Sequence, residues 1–309
     1  MRRRPRPSRA AVRWPRTVAR RSRVLLAVLA AGTASAQAPS ALQVPSAPAD
    51  SVEVRTGDGR PASLADVVAA AERADVLVLG ERHDDAAAHA VQLRLLETLL
   101  ERPRPVVLSL EMLESDAQTV LDEYLAGLVR ERDFLAASRP WSNYADDYRP
   151  LVERMRGAGP VVAANAPGRY VSLVSRRGLG ALDELSPEAR AWLPPVVTPP
   201  SDALAAKFAE AMGGTAHGAG PSVEGMLAAH NLRDATMAWR VAEALDAHDG
   251  ALVVHVNGSF HSADRLGVPE HLAGVAPDAR VVVVTMEPAG DAPPEPSADD
   301  FVIVTPARR

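Results

Sequence analysis

The sequence predicts an α/β fold: a mostly parallel sheet flanked by helices, with a helical subdomain inserted roughly between residues 115 and 225. Three observations carry that expectation. Short apolar runs alternate with longer stretches of helical periodicity, the pattern of strands joined by helical crossovers. The runs are almost wholly apolar, as strands buried on both faces are. Polar residues recur where the runs end, and in an open α/β sheet that edge is where ligands bind.

Taken in order, Ser51 to Arg55 alternates through Val52 and Val54 and reads as an edge strand, closed by the turn Gly57-Asp58-Gly59. Ser63 with Asp66 three residues later reads as a helix start, and Leu64, Val67, Val68 and Ala71 give that helix one apolar face. Val76 to Leu79 is a buried strand that ends at Gly80, followed by Glu81, Arg82 and His83. A helix over roughly 86–101 places Val91, Leu95 and Leu99 on one side, and Pro103 lies beyond its end. Val106 to Leu110 is the second buried strand, ending at Glu111. Ser115 or Asp116 caps a helix that bears Val120, Leu121, Leu125 and Leu128.

A helical, aromatic-rich segment follows, with Phe134, Trp141, Tyr144 and Tyr148; Tyr148, Leu151, Val152 and Met155 keep the helical spacing. Pro160 to Ala164 is a third strand. Pro194-Pro195, Pro199-Pro200 and the Gly-rich stretch from Gly213 to Pro221 then break the chain into short helices and loops, with His217 at a loop apex. A long helix is expected over Val223 to Ala247, with Met226, Met237, Val241 and Leu245 on its apolar side. After it come ALVVHVNGSFH, a strand ending at Gly258 and His261, and two further strands at Arg280 to Thr285 and Phe301 to Thr305.

The first 36 residues stand apart from this pattern. They hold ten arginines and no acid, then an apolar run from Val24 to Ala31, then Ala34-Ser35-Ala36. That order is the order of a secretory signal peptide, with cleavage expected near Ala36 and the mature chain starting at Gln37. The apolar run is shorter than the roughly 20 residues a spanning helix needs. Residues 37–50 are rich in Ala, Pro and Ser and read as a linker, and residues 51–309 as a single domain. Beyond residue 36, 24 basic residues face 39 acidic ones, a net charge of −15. So acidic a surface repels nucleic-acid phosphates, and no nucleic-acid partner is expected. The chain has no cysteine, which excludes disulfides, thiolate metal sites, a cysteine nucleophile and a lipid-anchored cysteine. A periplasmic or secreted protein without a transmembrane segment in the mature chain is expected.

The Gly-x-x-His arrangement occurs twice at strand ends, at Gly80 to His83 and at Gly258 to His261. With Glu81 and Glu111 at neighbouring ends, two imidazoles and two carboxylates would converge, the imidazoles within roughly 10 Å of each other given strands about 4.8 Å apart. Such a set suits a zinc-type divalent metal held by His83 and His261, or general acid–base hydrolysis by Glu81, His83, Glu111 and His261. His230 and Asp234, four apart on one helix face, read as a polar contact supporting the site. His255 reads as a packed or edge histidine, and His89, His248 and His271 as surface positions. Trp141, Tyr144 and Tyr148 are either core or a cofactor wall. Ser259 is not in a G-x-S-x-G elbow, and neither a dinucleotide fingerprint nor a P-loop is present.

The ordered motifs VLVLGERHDD, LEMLESDAQ, EYLAGL, YRPLVERMR, VVAANAPGR, DATMAWRVAEAL and VNGSFHSADRLGVP, spread over about 74–273, resemble the ChaN-like haem-binding family of the Tiki and erythromycin-esterase-like superfamily. The resemblance implies an α/β fold, export to the cell envelope and haem binding linked to iron uptake. The partners it implies are haem, envelope uptake components and a second copy of the chain in a homodimer. Superfamily relatives use similar His and Glu residues for metal-dependent proteolysis or ester hydrolysis, which makes a metal-dependent hydrolase the alternative function. Whether the chain is an enzyme stays open at this point. If haem binds, its iron is expected to meet Tyr144, Tyr148 or His217 from the inserted helical part, and Arg149 and Arg169 are expected to pair with the propionates. Two departures from the family pattern are the missing lipobox cysteine and His230 where the family motif carries Gln.

Overall fold

A computed structural model describes residues 52–212, 222–290 and 300–307. Its strands are β1 (Glu53–Thr56), β2 (Pro61–Ala62), β3 (Val76–Glu81), β4 (Val106–Glu114), β5 (Val161–Asn165), β6 (Leu252–Gly258), β7 (Val281–Pro288) and β8 (Phe301–Thr305). They make one sheet in the order β2-β1-β8-β7-β3-β6-β4-β5. From β8 to β5 every pairing is parallel, and β1 and β2 add an antiparallel edge. β6 arrives late in the chain and fills the place between β3 and β4. That insertion decides what the sheet can do, because it sets three sequence-distant strand ends side by side.

The helices are α1 (Leu64–Ala71), α2 (Ala86–Leu100), α3 (Gln118–Leu125), α4 (Glu131–Ser138), α5 (Arg149–Met155), α6 (Gly168–Arg177), α7 (Pro187–Arg190), α8 (Asp202–Ala211), α9 (Val223–Ala247) and α10 (Val268–Val275). Side chains alternate across a strand, so the central strands feed two cores. Leu77, Leu79, Leu108, Leu110, Val254 and Val256 pack with α1 to α5. Val76, Val78, Val107 and Val253 pack with Met237, Ala238 and Val241 of α9 and with Val268 and Leu272 of α10. Each such aliphatic side chain contributes about 1.5–3 kcal/mol when fully buried. This two-sided burial is why the strands read as unbroken apolar runs.

Local signals place the helices. Ser63 and Asp66 form the expected capping box of α1, each side chain accepting from the other's backbone N–H. Asp85 caps α2 by accepting from the N–H groups of Ala87 and Ala88. Ser222 starts α9, which runs over the residues its periodicity predicts, with Met237 and Val241 fully buried and Met226 and Leu245 at the margin. The stretch expected as an inserted helical part holds α3 to α8, and it also gives β5 to the sheet edge. β7 continues past Thr285 to Pro288, because Glu287 has partners that let it lie within a buried strand: Arg82 at 2.7 Å and the Ser259 hydroxyl at 2.7 Å. Among the described residues no helix is long and apolar enough to cross a membrane.

Candidate functional site

Strand register builds the site. Glu81 stands opposite Gly258 across β3 and β6, and Leu110 stands opposite Val256 across β4 and β6. Glu81, Glu111 and the short turn Ser259–His261 that follows β6 therefore share the carboxyl edge. Glu111 ties the edge together. One of its oxygens accepts the Gly258 N–H at 2.7 Å, and the other lies 3.3 Å from His261 Nε2. The His83 ring lies against Gly258 so closely that a Cβ there would be 2.7 Å from Nε2. A glycine is required at that position for this contact. Both Gly-x-x-His imidazoles thus come to the same edge, beside the same carboxylate.

Glu81 is buried and saturated. Tyr148 O–H donates to it at 2.5 Å, Gln92 Nε2 donates at 2.5 Å, and ring nitrogens of His83 and His89 lie 3.1 Å away. Burial pushes its pKa up, but the bonds from His83, His89 and Tyr148 and the charge of His89 outweigh burial and hold it below the usual carboxylate value. His89 is correspondingly raised: burial opposes its charge, and Glu81 with Asp147 overcomes that. Arg82 turns away to Glu287, bracing the next strand.

The second cluster is centred on His261. Its Nδ1 lies 2.5 Å from Asp234 Oδ1, and its ring stacks on His230 with centroids 4.2 Å apart. Burial alone would lower its pKa, yet the charges of Glu111 and Asp234 raise it to about 10. Burial pushes Glu111 up, but the charge and hydrogen bond of His261, with help from His83 and the Gly258 N–H, outweigh it and hold Glu111 at about 2. His230 is the opposite case, since burial beside Phe208 and Phe260 lowers it to about 4, more than Asp234 restores.

Between these groups and α6, α8 and α9 lies a cleft of about 630 Å³. Trp141, Val171, Phe208, Met226 and Ala229 give it apolar walls, and Glu111, Asn165, His230, Arg233 and His261 give it polar points. Such a size and mixture suit a small-molecule or cofactor site. His83 stands beside it, edge-on to Trp141 at 4.6 Å, with Nδ1 turned to Glu81.

Four of the residues expected to hold a cofactor are buried or paired with acids. Tyr144 and Tyr148 are core residues at 2% and 0% exposure, Tyr144 packed on Phe134 and Tyr148 bonded to Glu81. Burial, more than any neighbour, pushes both phenols far above their ordinary value, so neither is poised to become a phenolate. Arg149 pairs with Glu131 at 2.5 Å, and Arg169 pairs with Asp116 at 2.5 Å while covering the Tyr170 ring. His217 lies outside the described residues. Two histidines expected at the surface are buried. His89 faces Glu81 from the first turn of α2, and His271 is held between Asn231 at 2.9 Å and Thr198 at 3.1 Å. His255 is packed as expected, beside Ser109 at 2.9 Å.

Sequence reasoning passed over Gln92, Arg233 and the depth of the His230–Asp234 pair. The spacing of His89 and Gln92, three apart after a strand ending in Glu81, was the available signal for the first. For α9, four-residue spacing showed one helix face but not the turn it meets.

The family model for haem-binding uptake, Tiki superfamily, ChaN, matches residues 67–272. Among solved structures the chain is similar to ChaN of Campylobacter jejuni, known for its cofacial heme binding, with 17% identity and a TM-score of 0.60 over 82% of this chain and 96% of that one. At that identity the likeness establishes the fold. More distant likenesses are to an erythromycin esterase variant in its open conformation (14% identity, TM-score 0.43, 75% and 77% covered) and a Bacillus cereus protein (12%, 0.43, 74% and 70%). No curated protein matches the chain by sequence.

Proposed function

We propose, for a chain that belongs to the haem-binding uptake family, ChaN of the Tiki superfamily, that it binds haem in the carboxyl-edge cleft, with His83 offering Nε2 to the iron. One observation supports His83 over the aromatic alternatives: all four tyrosines are buried, whereas the His83 side chain is 42% exposed. A haem-binding tyrosine ligates as phenolate, and burial disfavours that charge here. His83 has the opposite design. Glu81 lies at Nδ1, fixing the ring and leaving the lone pair on Nε2, as carboxylates do behind metal-bound imidazoles.

The cleft fits the rest of the molecule. Trp141, Phe208 and Met226 supply apolar surface for the macrocycle. Arg233 lines the cleft and has no ion-pair partner among the described residues, so it replaces Arg149 and Arg169 as the proposed propionate partner. Guanidinium binds carboxylate through two parallel hydrogen bonds. The hydrolase alternative is disfavoured by the same geometry. Glu81 is spent on four partners and Glu111 on His261 and the Gly258 N–H, so neither carboxylate is free to act as a general base. We further propose export through the arginine-rich leader and a role in haem or iron uptake; the leader itself lies outside the described residues.

The test is a haemin titration of purified protein. A saturable Soret change is expected, altered in position by His83→Ala and unaltered by Tyr144→Phe or Tyr148→Phe. A spectrum that follows either tyrosine and ignores His83 overturns the ligand assignment.

A further inference from the structure

We propose that His230, Asp234 and His261 bind a divalent transition-metal ion of the zinc type at the floor of the cleft, a site separate from the haem iron. The donor atoms of these three side chains all lie within 4.8 Å of one another, two from α9 and one from the turn after β6. Imidazole, imidazole and carboxylate are zinc-type ligands, and three protein ligands leave a fourth position open toward the cleft. Around a tetrahedral ion with bonds of about 2.0–2.1 Å, neighbouring donor atoms are about 3.3 Å apart. His230 Nε2 and Asp234 Oδ2 are already 3.2 Å apart.

A second observation points to a ligand independently. Asp234 is wholly buried, and its Oδ2 has no hydrogen-bond partner; neither has His230 Nε2. The two atoms are close but not aligned as donor and acceptor, so a buried carboxylate oxygen and a buried ring nitrogen are aimed at common space without a bond between them. Leaving such groups unsatisfied is costly, and a cation placed between them satisfies both.

The surroundings match a metal centre as well. With Nδ1 toward Asp234, His261 directs Nε2 to Glu111 Oε1 at 3.3 Å, and Glu111 is in turn fixed by the Gly258 N–H. A carboxylate behind a ligating imidazole is the usual support of a histidine–metal bond. Phe208 and Phe260 wall the His230 ring at 5.5 and 5.2 Å, which holds it in one orientation. Two buried carboxylates, Asp234 and Glu111, around this cluster also favour a cation electrostatically. This set differs from the expected pairing of His83 with His261: His83 is engaged by Glu81 and does not belong to the cluster.

The experiment uses the full mature chain, stripped with a chelator and titrated with Zn2+ by calorimetry, then with Co2+ while the visible spectrum is recorded. One Zn2+ per chain is expected, with a visible Co2+ band from a low-coordinate site. His230→Gln and Asp234→Asn should each weaken Zn2+ binding at least tenfold, and Glu111→Gln about 10–100-fold through the supporting bond. His248→Gln, at the far end of α9, should change nothing. Circular dichroism of each variant separates lost binding from lost fold. Absence of stoichiometric Zn2+ binding, or folded His230→Gln and Asp234→Asn proteins that bind as the parent does, overturns the proposal. Haemin and Zn2+ titrations of His83→Ala, which leaves the metal cluster intact, separate the two readings, so either can fail while the other stands.

Discussion

At the scale of single residues, the site depends on glycines and on buried charges. Gly258 lets the His83 ring lie against the backbone, and a methyl group there would sit 2.7 Å from the ring. Gly258→Ala is therefore expected to displace His83 and lower haemin affinity about tenfold or more, while the far-UV circular dichroism is kept. Unchanged affinity would mean the His83 position is irrelevant to binding. A pH effect follows from His255, which burial lowers to about 4 from an ordinary 6.5. Between those values the unfolded chain binds a proton that the folded chain refuses. Stability is then full above about pH 6.5 and falls as the pH drops toward 4, by at most about 1.4 kcal/mol per pH unit for this group. Glu81 and Glu111, both held below their ordinary 4.5, extend the loss at lower pH, Glu111 down to about 2. Urea midpoints measured from pH 6.5 to 4.5, below the range in which the raised His261 and His89 titrate in the unfolded chain, should decline, less steeply in His255→Gln. Midpoints that hold or rise on acidification would contradict this.

At the scale of elements, the insertion of β6 between β3 and β4 matters most. Leu77, wholly buried on β3 between β6 and β7, packs in the core beneath α1 to α5. Leu77→Ala should cost about 2–5 kcal/mol, read as a lower urea midpoint with unchanged slope. A loss below 1 kcal/mol would show that this face of the sheet is looser than described. The same strands show why much of the fold was legible beforehand. Strands buried on both faces leave no alternation to confuse them with surface strands, and capping residues such as Ser63 marked where helices start. What stayed hidden is tertiary. That Glu287 would remain inside β7 depends on Arg82 and Ser259, and the burial of His89 and His271 depends on Glu81 and Asn231. Gly-x-x-His repetition pointed to one shared edge because each copy follows one of two neighbouring parallel strands. The link from Asp234 to His261 joins a helix face to a turn, for which no spacing rule exists. The burial of Tyr144 and Tyr148 was not legible because an aromatic-rich helical stretch looks the same whether it lines a cofactor or fills a core.

At the scale of the whole molecule, the sheet gathers polar ends at one edge and the helices around it form a cleft about the size of a cofactor site. The family and the cleft together support haem as cargo, and the signal-peptide order of the first 36 residues is what the proposed export rests on. N-terminal sequencing of the exported protein should give Gln37 as the first residue; an intact leader on exported protein would refute the proposed processing. The central claim is that iron meets His83 in the carboxyl-edge cleft. The most direct measurement is the anomalous signal of iron in crystals of the protein saturated with haemin. The account predicts one iron peak in the cleft at coordination distance from His83 Nε2, with the macrocycle against Trp141 and Arg233 at a propionate. An iron peak on Tyr144 or Tyr148, or outside the cleft altogether, would contradict it.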